Sequence, residues 1–353
     1  MESLKPSHHK SSSEHANLTF EQLAEPFRRE IKLHCYRMLG SLHEADDLVQ
    51  ETYLRAWRSF NTFAGGAFRA WLYRIATNAC LNALASRKNM QRFLPDQKSQ
   101  PTHRMPQGGP AIDVPWLEPY PDSYLENIAD NAPDPGARYA SRETVQLAFV
   151  AVIQQLPPRQ RAAVLLCDVL GWAAAEAASL LGGSTASINS ALQRARDTLA
   201  KSRTDGAGAA TLPPNPAQQQ LLGRYLQAWE GHDLDGFVAL LKEDATVTMP
   251  PWLEWYAGRE AIGAFFAIAW KTCAGLRLVS TAANGQPAFA IYEWSGANAQ
   301  WSAHSIHVLT LDEDRISTLT LFVPPTGPQL FQAFGLPLSL SDVAVAESAH
   351  GVR

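Results

Sequence analysis

The chain has 353 residues, 30 Lys and Arg against 34 Asp and Glu, and 46% hydrophobic residues, enough for two or three domains that each bury a core. The net charge of −4 conceals a segregation: residues 1–109 carry 15 basic and 10 acidic side chains, 110–137 none and 6, 138–203 8 and 4, and 204–353 7 and 14, which points to a polyanion as partner of the two basic blocks only. Four scattered cysteines without metal-ligand spacing, a polar N-terminus, and no apolar run near the roughly 18 residues a bilayer requires exclude a disulfide scaffold, a structural zinc site and membrane insertion, so a cytoplasmic protein is expected.

Residues 1–17 read as a disordered tail. From Thr19, the apolar positions Phe20, Leu23, Phe27, Ile31, Cys35, Met38 and Leu39 recur at helical spacing. Gly40-Ser41 ends that helix and opens a second, whose buried line is Ala45, Leu48, Val49, Thr52 and Ala56. Off that line, Asp46, Asp47, Gln50 and Glu51 point outwards together, an acidic and amide face suited to a basic protein partner. A third helix begins at Phe68 and is buried through Leu72, Ile75, Ala76, Ala79 and Ala83. Its other edge shows Arg74, Thr77, Asn78 and Asn82, with Arg69 before them and Arg87, Lys88 and Arg92 after, a set suited to nucleic acid. Residues 18–92 thus form a compact helical domain.

Residues 93–137 are Pro-rich, which forbids regular helix or central strand. They read as an extended linker whose run VPWLEPYPD supplies an aromatic and acidic anchor (Trp116, Leu117, Glu118, Tyr120, Asp122) for docking onto another surface. Residues 138–202 form a second helical domain, with helices Arg138 to Gln155, Arg159 to Leu170, Ala173 to Leu181 and Thr185 to about Lys201. The last two, joined by Gly182-Gly183-Ser184, fit a helix-turn-helix. Ile188, Leu192, Ala195 and Leu199 are its buried edge, and Ser187, Ser190, Gln193, Arg194 and Arg196 face away. After a flexible linker at 203–216, residues 217–340 read as an α+β domain with helices at Ala217 to Gly231, Asp235 to Leu241 and Arg259 to Trp270. Its strand-like runs are ATVTMP, LRLVSTAANG, QPAFAIYEW, QWSAHSIHVLTLD and RISTLTLFV, forming a curved antiparallel sheet. Residues 341–353 are a tail.

HCYRMLGSLHEADDLVQETYLRAWRSF followed by FRAWLYRIATNACLNAL resembles region two of a bacterial RNA polymerase sigma factor of the extracytoplasmic-function (ECF) class. LPPRQRAAVLLCDVLGWAAAEAASLLGGSTASINSALQRARDTL resembles region four of that class. MPPWLEWYAGREAIGAFF and the strands after it resemble the SnoaL-like fold, a cone-shaped curved sheet with helices. The resemblance implies a multidomain protein: an all-α region 2 domain, an all-α helix-turn-helix region 4 domain and an α+β SnoaL-like domain. It implies a factor that binds core RNA polymerase at its clamp coiled coil and flap and directs initiation at promoter DNA.

Carried over residue by residue, the resemblance gives the core-polymerase face to Asp46, Asp47, Gln50, Glu51 and Arg55. The −10 promoter element falls to Phe60, Asn61, Phe63, Arg69, Arg74, Asn78 and Asn82. The −35 element falls to Ser187, Ser190, Gln193, Arg194 and Arg196, where Gln and Arg side chains are able to make two-point contacts with base edges. Phe63 and Trp71 are equally well placed for the core, and Asn78 for bracing its helix. The added acidic domain suggests regulation in cis, with an anti-sigma factor or a small ligand at that domain as further partners. In SnoaL-like cyclases acid-base residues act inside the cone. Trp252, Trp255, Tyr256, Trp270 and His307 are candidates for a ligand cavity, with Asp244, Glu254 and His304 near them. A SnoaL-like small-molecule-sensing domain, or a cyclase- or isomerase-type enzyme domain, fused to a DNA-binding module is the alternative function. No phosphate loop, metal motif or nucleophile elbow is visible elsewhere, and no cofactor is expected.

Overall fold

The computed structural model describes residues 19–63, 65–86, 91–126, 128, 144–202 and 214–341. The N-terminal tail, Arg87 and Lys88, the proposed helical segment 138–143, the linker residues 203–213 and the tail from 342 lie outside the described residues. The chain divides into two compact units, Met1–Met90 with Pro157–Arg194 and Gln91–Leu156 with Ala195–Arg353.

In the first unit α1 (Phe20–Ala24), α2 (Arg28–Leu39), α3 (Leu42–Ser59) and α4 (Phe68–Ser86) follow one another, and α2, α3 and α4 pack on each other. Thr19 and Gln22 exchange side-chain bonds in a capping box that starts α1. Gly40 ends α2 in the left-handed conformation at φ 71°, and Ser41 caps α3 by accepting from the Glu44 N–H. Of the buried line expected on α3, Ala45, Val49, Thr52 and Ala56 are buried and Leu48 is half-buried. Thr77 departs from expectation. It is buried, not on the outer edge of α4, because the imidazole of His34 on α2 lies 2.9 Å from its Oγ1.

Helix α6 (Pro158–Val164) packs on α2 and α4, running on through a π-helical stretch at Leu165–Val169. Arg161 from α6 is 2% exposed and donates through Nη1 to the Met38 carbonyl. Helices α7 (Ala174–Leu181) and α8 (Thr185–Ser202) make the helix-turn-helix. Gly182 turns the chain at φ 65°, and Ser184 and Ser187 each accept from the other's backbone N–H at 3.1 Å. A Cβ on Gly183 would lie 2.8 Å from Ser187 Oγ.

The second unit is built on a sheet of seven strands: β1 (Leu241–Thr248), β2 (Trp255–Ala257), β3 (Leu276–Ala283), β4 (Gln286–Ser295), β5 (Gln300–Asp312), β6 (Arg315–Phe322) and β7 (Ser339–Leu340). The order is β2-β1-β6-β5-β4-β3, with β7 on β5. The sheet is mixed where an antiparallel one was expected, since β1 runs parallel to β6. Register shifts at Ile291/Tyr292 and Thr310/Leu311 are the kind of irregularity that bends a sheet. Helices α9 (Pro216–Glu230), α10 (Leu234–Ala239) and α11 (Arg259–Ala269) supply Leu221, Tyr225, Trp229, Phe237, Phe265 and Phe266 to a core shared with Val247, Phe289, Ile291, Leu309 and Leu319 of the strands. A short helix α12 (Gly327–Leu330) follows β6.

The linker is folded onto this domain. Trp116, Leu117 and Tyr120 are buried, and Trp116 packs on Phe93. Helix α5 (Leu147–Gln154), shorter than expected, also belongs to the second unit. Gln97 donates to the Ala151 carbonyl and Gln91 to that of Gln155.

Candidate nucleic-acid and protein interfaces

The outward face of α3 carries two kinds of side chain. Asp46, Asp47 and Gln50 are exposed and Glu51 is half-buried. Asp46 is ion-paired to Lys32 at 2.7 Å, and Glu51 to Arg55 at 2.6 Å. In the same stripe, three to four residues apart, follow Leu54 at 42% and Trp57 at 63% exposure. Large exposed apolar groups beside exposed polar ones are the composition of a protein interface. Sequence reasoning missed Leu54 and Trp57, because an apolar residue on a helix reads as core unless its phase is compared with Val49 and Ala56.

On α4, Arg74, Asn78 and Asn82 are all exposed and, four residues apart, form one line. The other residues expected beside them are tied inward to different degrees. Phe60 meets Phe20 and Phe68 edge-on, and Phe63 packs on Phe68 and Trp71 at 5.5 and 5.1 Å. Asn61 is exposed. The Arg69 guanidinium is bonded to Glu30 Oε2 at 2.7 Å and stands over the Tyr73 ring. Arg69 is therefore already engaged within the domain, a partner that sequence could not supply across 39 positions. Thr62, Phe63, Trp71 and Arg74 form one wall of a cleft of about 720 Å³ whose other wall is Leu170, Trp172, Glu176 and Ser179. The loop and helix expected to meet the −10 element thus face the first helix of the helix-turn-helix.

On α8, Ser187, Ser190, Gln193, Arg194 and Arg196 are all exposed, while Ile188, Leu192 and Ala195 are buried. Arg194 Nη1 donates to Ser190 Oγ at 2.8 Å, which orients the guanidinium along the exposed face.

The five residues expected to line a ligand cavity fall into two groups. Trp270 and His307 lie inside a packed aromatic core, both against Trp229, with ring centroids 5.2 and 4.6 Å from it. His307 Nδ1 shares a hydrogen bond with Tyr225 OH at 2.9 Å and its Nε2 one with Ser305 Oγ at 3.0 Å. Ser305 in turn meets His304 Nδ1 at 3.1 Å. Burial, reinforced by His304, holds the His307 pKa well below the usual imidazole value. His304 is also lowered by burial, against the pull of Glu293 3.8 Å away. Trp255 and Tyr256 instead hold the linker: Trp255 Nε1 donates to the Ser99 carbonyl and Tyr256 OH to that of Arg104, each at 3.0 Å. Thr102 N–H returns a bond to the Trp255 carbonyl, and Met105 packs against the domain core. Trp252 lies in the turn after β1, with its N–H bonded to the Met249 carbonyl. Glu254 is half-buried and Asp244 exposed. Trp270 and His307 are thus packed among aromatic rings, and Trp255 and Tyr256 are engaged by the linker.

Among the described residues no group of His, Cys, Asp and Glu is arranged to hold a metal ion, and no helix is long and apolar enough to cross a membrane.

Three family models match in sequence order: Sigma-70 region 2 over residues 23–90, Sigma-70 region 4 over residues 146–199, and the SnoaL-like domain over residues 222–319. The chain is 44% identical over 333 residues to the ECF RNA polymerase sigma factor SigG of Mycobacterium tuberculosis, covering 91% of this chain and 85% of that protein. It is 30% identical over 224 residues to SigJ of the same species, covering 64% of this chain and 62% of that protein. The crystal structure of Mycobacterium tuberculosis SigJ has the same fold, with a TM-score of 0.58 at 22% identity over 89% of this chain and 98% of that one. The chain therefore belongs to the ECF RNA polymerase sigma factors, and it carries a SnoaL-like domain after its region 4.

Proposed function

We propose that the stripe on α3 holds core RNA polymerase while the line on α4 and the exposed face of α8 address the −10 and −35 elements. The single observation that carries this is the division of chemistry between adjacent helices. Acidic, amide and apolar groups stand on α3, and Arg74, Asn78 and Asn82 stand on α4. Carboxylates and amides match an Arg-rich partner helix, and guanidinium and amide groups match phosphates and base edges. Asp47→Ala with Gln50→Ala should weaken capture of core polymerase in a pull-down, and unchanged capture removes the assignment.

The C-terminal domain regulates this activity in cis. Elements named for positions 25 base pairs apart lie on the order of 85 Å apart along B-form DNA. Helix α6 of region 4 packs on α2 and α4 of region 2, so the packed arrangement and the promoter-bound arrangement exclude one another. The linker that joins the two regions and α5, the first helix of region 4, are held by the SnoaL-like domain through Trp255, Tyr256 and the β3–β4 turn. The packing of Trp270 and His307 on Trp229 and the hydrogen bonds at both nitrogens of His307 favour a regulatory role over turnover. Deleting residues 204–353 should change promoter-directed transcription with purified core enzyme, and identical transcription defeats the regulatory reading.

A further inference from the structure

The β3–β4 turn, Asn284-Gly285, has chemistry beyond closing a hairpin. An Asn-Gly pair at positive φ is an ordinary way to reverse a strand, and Asn284 adopts φ 58°. Its side chain, however, is fully buried and spends its amide on other segments. Asn284 N–H donates to the Tyr120 carbonyl and its Oδ1 accepts from the Tyr120 N–H, both at 2.8 Å. The amide thus imitates a neighbouring strand toward the linker, and Pro121 continues the pairing with a bridge to Ala283. The remaining donor, Nδ2, reaches the Val145 carbonyl at 2.8 Å. Next to it, Gly285 N–H donates to Asp122 Oδ1 at 2.8 Å. Gln286 Oε1 accepts from Leu147 N–H at 3.0 Å, its own orientation fixed by donation to Thr310 Oγ1.

The geometry points to a clasp: the β3–β4 turn is a docking surface for two backbone segments of the sigma half of the same chain, Tyr120–Asp122 of the linker and Val145–Leu147 at the start of α5. This rests on the regulatory reading above and specifies where that regulation acts. Only an uncharged primary amide serves all three partners of Asn284, since two are served by its oxygen and backbone and the third is a carbonyl that requires a donor. The surface recognises main chain, so its fit depends on conformation at the linker and α5, the quantity that must change when regions 2 and 4 part. Closing the clasp sequesters the leading end of region 4, and opening it frees region 4 for the promoter.

Two variants keep the turn and remove the grip. Asn284→Gly retains the positive φ at no steric cost and deletes the amide. Asn284→Asp retains the turn but sets a carboxylate against the Val145 carbonyl. In the full chain, hydrogen exchange at the Tyr120 and Leu147 amides should accelerate about tenfold or more in both, with β4 and β5 protection unchanged. With purified core enzyme at limiting sigma, promoter-directed transcription should rise about threefold or more. Trp255→Phe, which removes only the bond to Ser99, serves as a separate probe of the linker. Unchanged exchange at both amides overturns the clasp. Faster exchange with transcription flat or lowered overturns its role. If Trp255→Phe alters transcription and the Asn284 variants do not, regulation in cis stands and the clasp alone fails. If none of the three alters it, both fail.

Discussion

Within the first unit, Arg161 donates from its guanidinium to the carbonyl of Met38, the penultimate residue of α2. The site is desolvated enough to lower the Arg161 pKa to about 10, so the group stays cationic at neutral pH, and its charge sits at the negative end of the α2 dipole. One side chain of region 4 thereby completes the hydrogen bonding of a region 2 helix.

Removing that cap leaves a buried carbonyl without its donor. Arg161→Ala should destabilise the first unit by about 2–3 kcal/mol, read as a lowered urea midpoint followed by a probe local to α2 such as Tyr36. A midpoint equal to wild type would show that the contact contributes nothing.

Trp57 offers the opposite case, a large side chain that the fold does not use. At 63% exposure its replacement by Ala should leave the unfolding midpoint within about 0.5 kcal/mol of wild type. Binding to core polymerase, by contrast, should weaken by about 1–2 kcal/mol, the cost typical of an aromatic anchor. Titration of labelled protein with core enzyme separates the two effects, and undiminished affinity takes Trp57 out of the interface.

His34 predicts a pH dependence. Burial first, then the charge of Arg37, pulls its pKa from the usual imidazole value down to about 3. Below about pH 6.5 the unfolded chain takes up a proton that the folded chain refuses, so stability is lost as pH falls from about 6.5 toward 3. The slope is at most about 1.4 kcal/mol per pH unit for the one group. His307 is depressed by burial in the same direction and adds to the slope in the second unit. Denaturant melts at neutral and mildly acidic pH should show the loss, and His34→Gln should flatten it for the first unit.

On α8, Gln193 and Arg196 should fail differently. Gln193→Ala should cost about 1–3 kcal/mol at one base pair of the −35 element and relax the preference there. Arg196→Ala should weaken binding nearly uniformly and reduce the salt dependence, as loss of a phosphate contact does. Holoenzyme binding to a panel of single-substitution promoters, at two salt concentrations, distinguishes these outcomes.

Helix periodicity carried most of the fold. The apolar phase from Ala45 to Ala56 and the change to alternation after Leu241 are local properties, and the elements follow them closely. What stayed hidden depends on distant partners. Thr77 looks exposed until His34 arrives from another helix, and Arg69 looks available until Glu30 takes it. The parallel pairing of β1 with β6 joins strands some 70 residues apart, beyond any local pattern. The linker anchor was legible as a cluster of buriable aromatics, but its receptor was not. Asn284-Gly285 reads in sequence as an ordinary turn, and nothing in the string shows that its amide is spoken for.

That same dipeptide gives the protein a chemical clock. An Asn followed by Gly is prone to cyclise, because the next backbone nitrogen meets no side chain on its way to the amide carbon. Here the nitrogen of Gly285 is bonded to Asp122 and both ends of the Asn284 amide are bonded in turn, so the attack is blocked while those contacts persist. Each opening exposes the pair: the Gly285 nitrogen then bonds to the Asn284 amide carbon and expels the side-chain nitrogen as ammonia, and the resulting succinimide takes up water to give an acid that no longer donates to Val145. Aged protein should therefore collect aspartate and isoaspartate at position 284 faster when bound to polymerase than when free, a difference that peptide mass mapping can read.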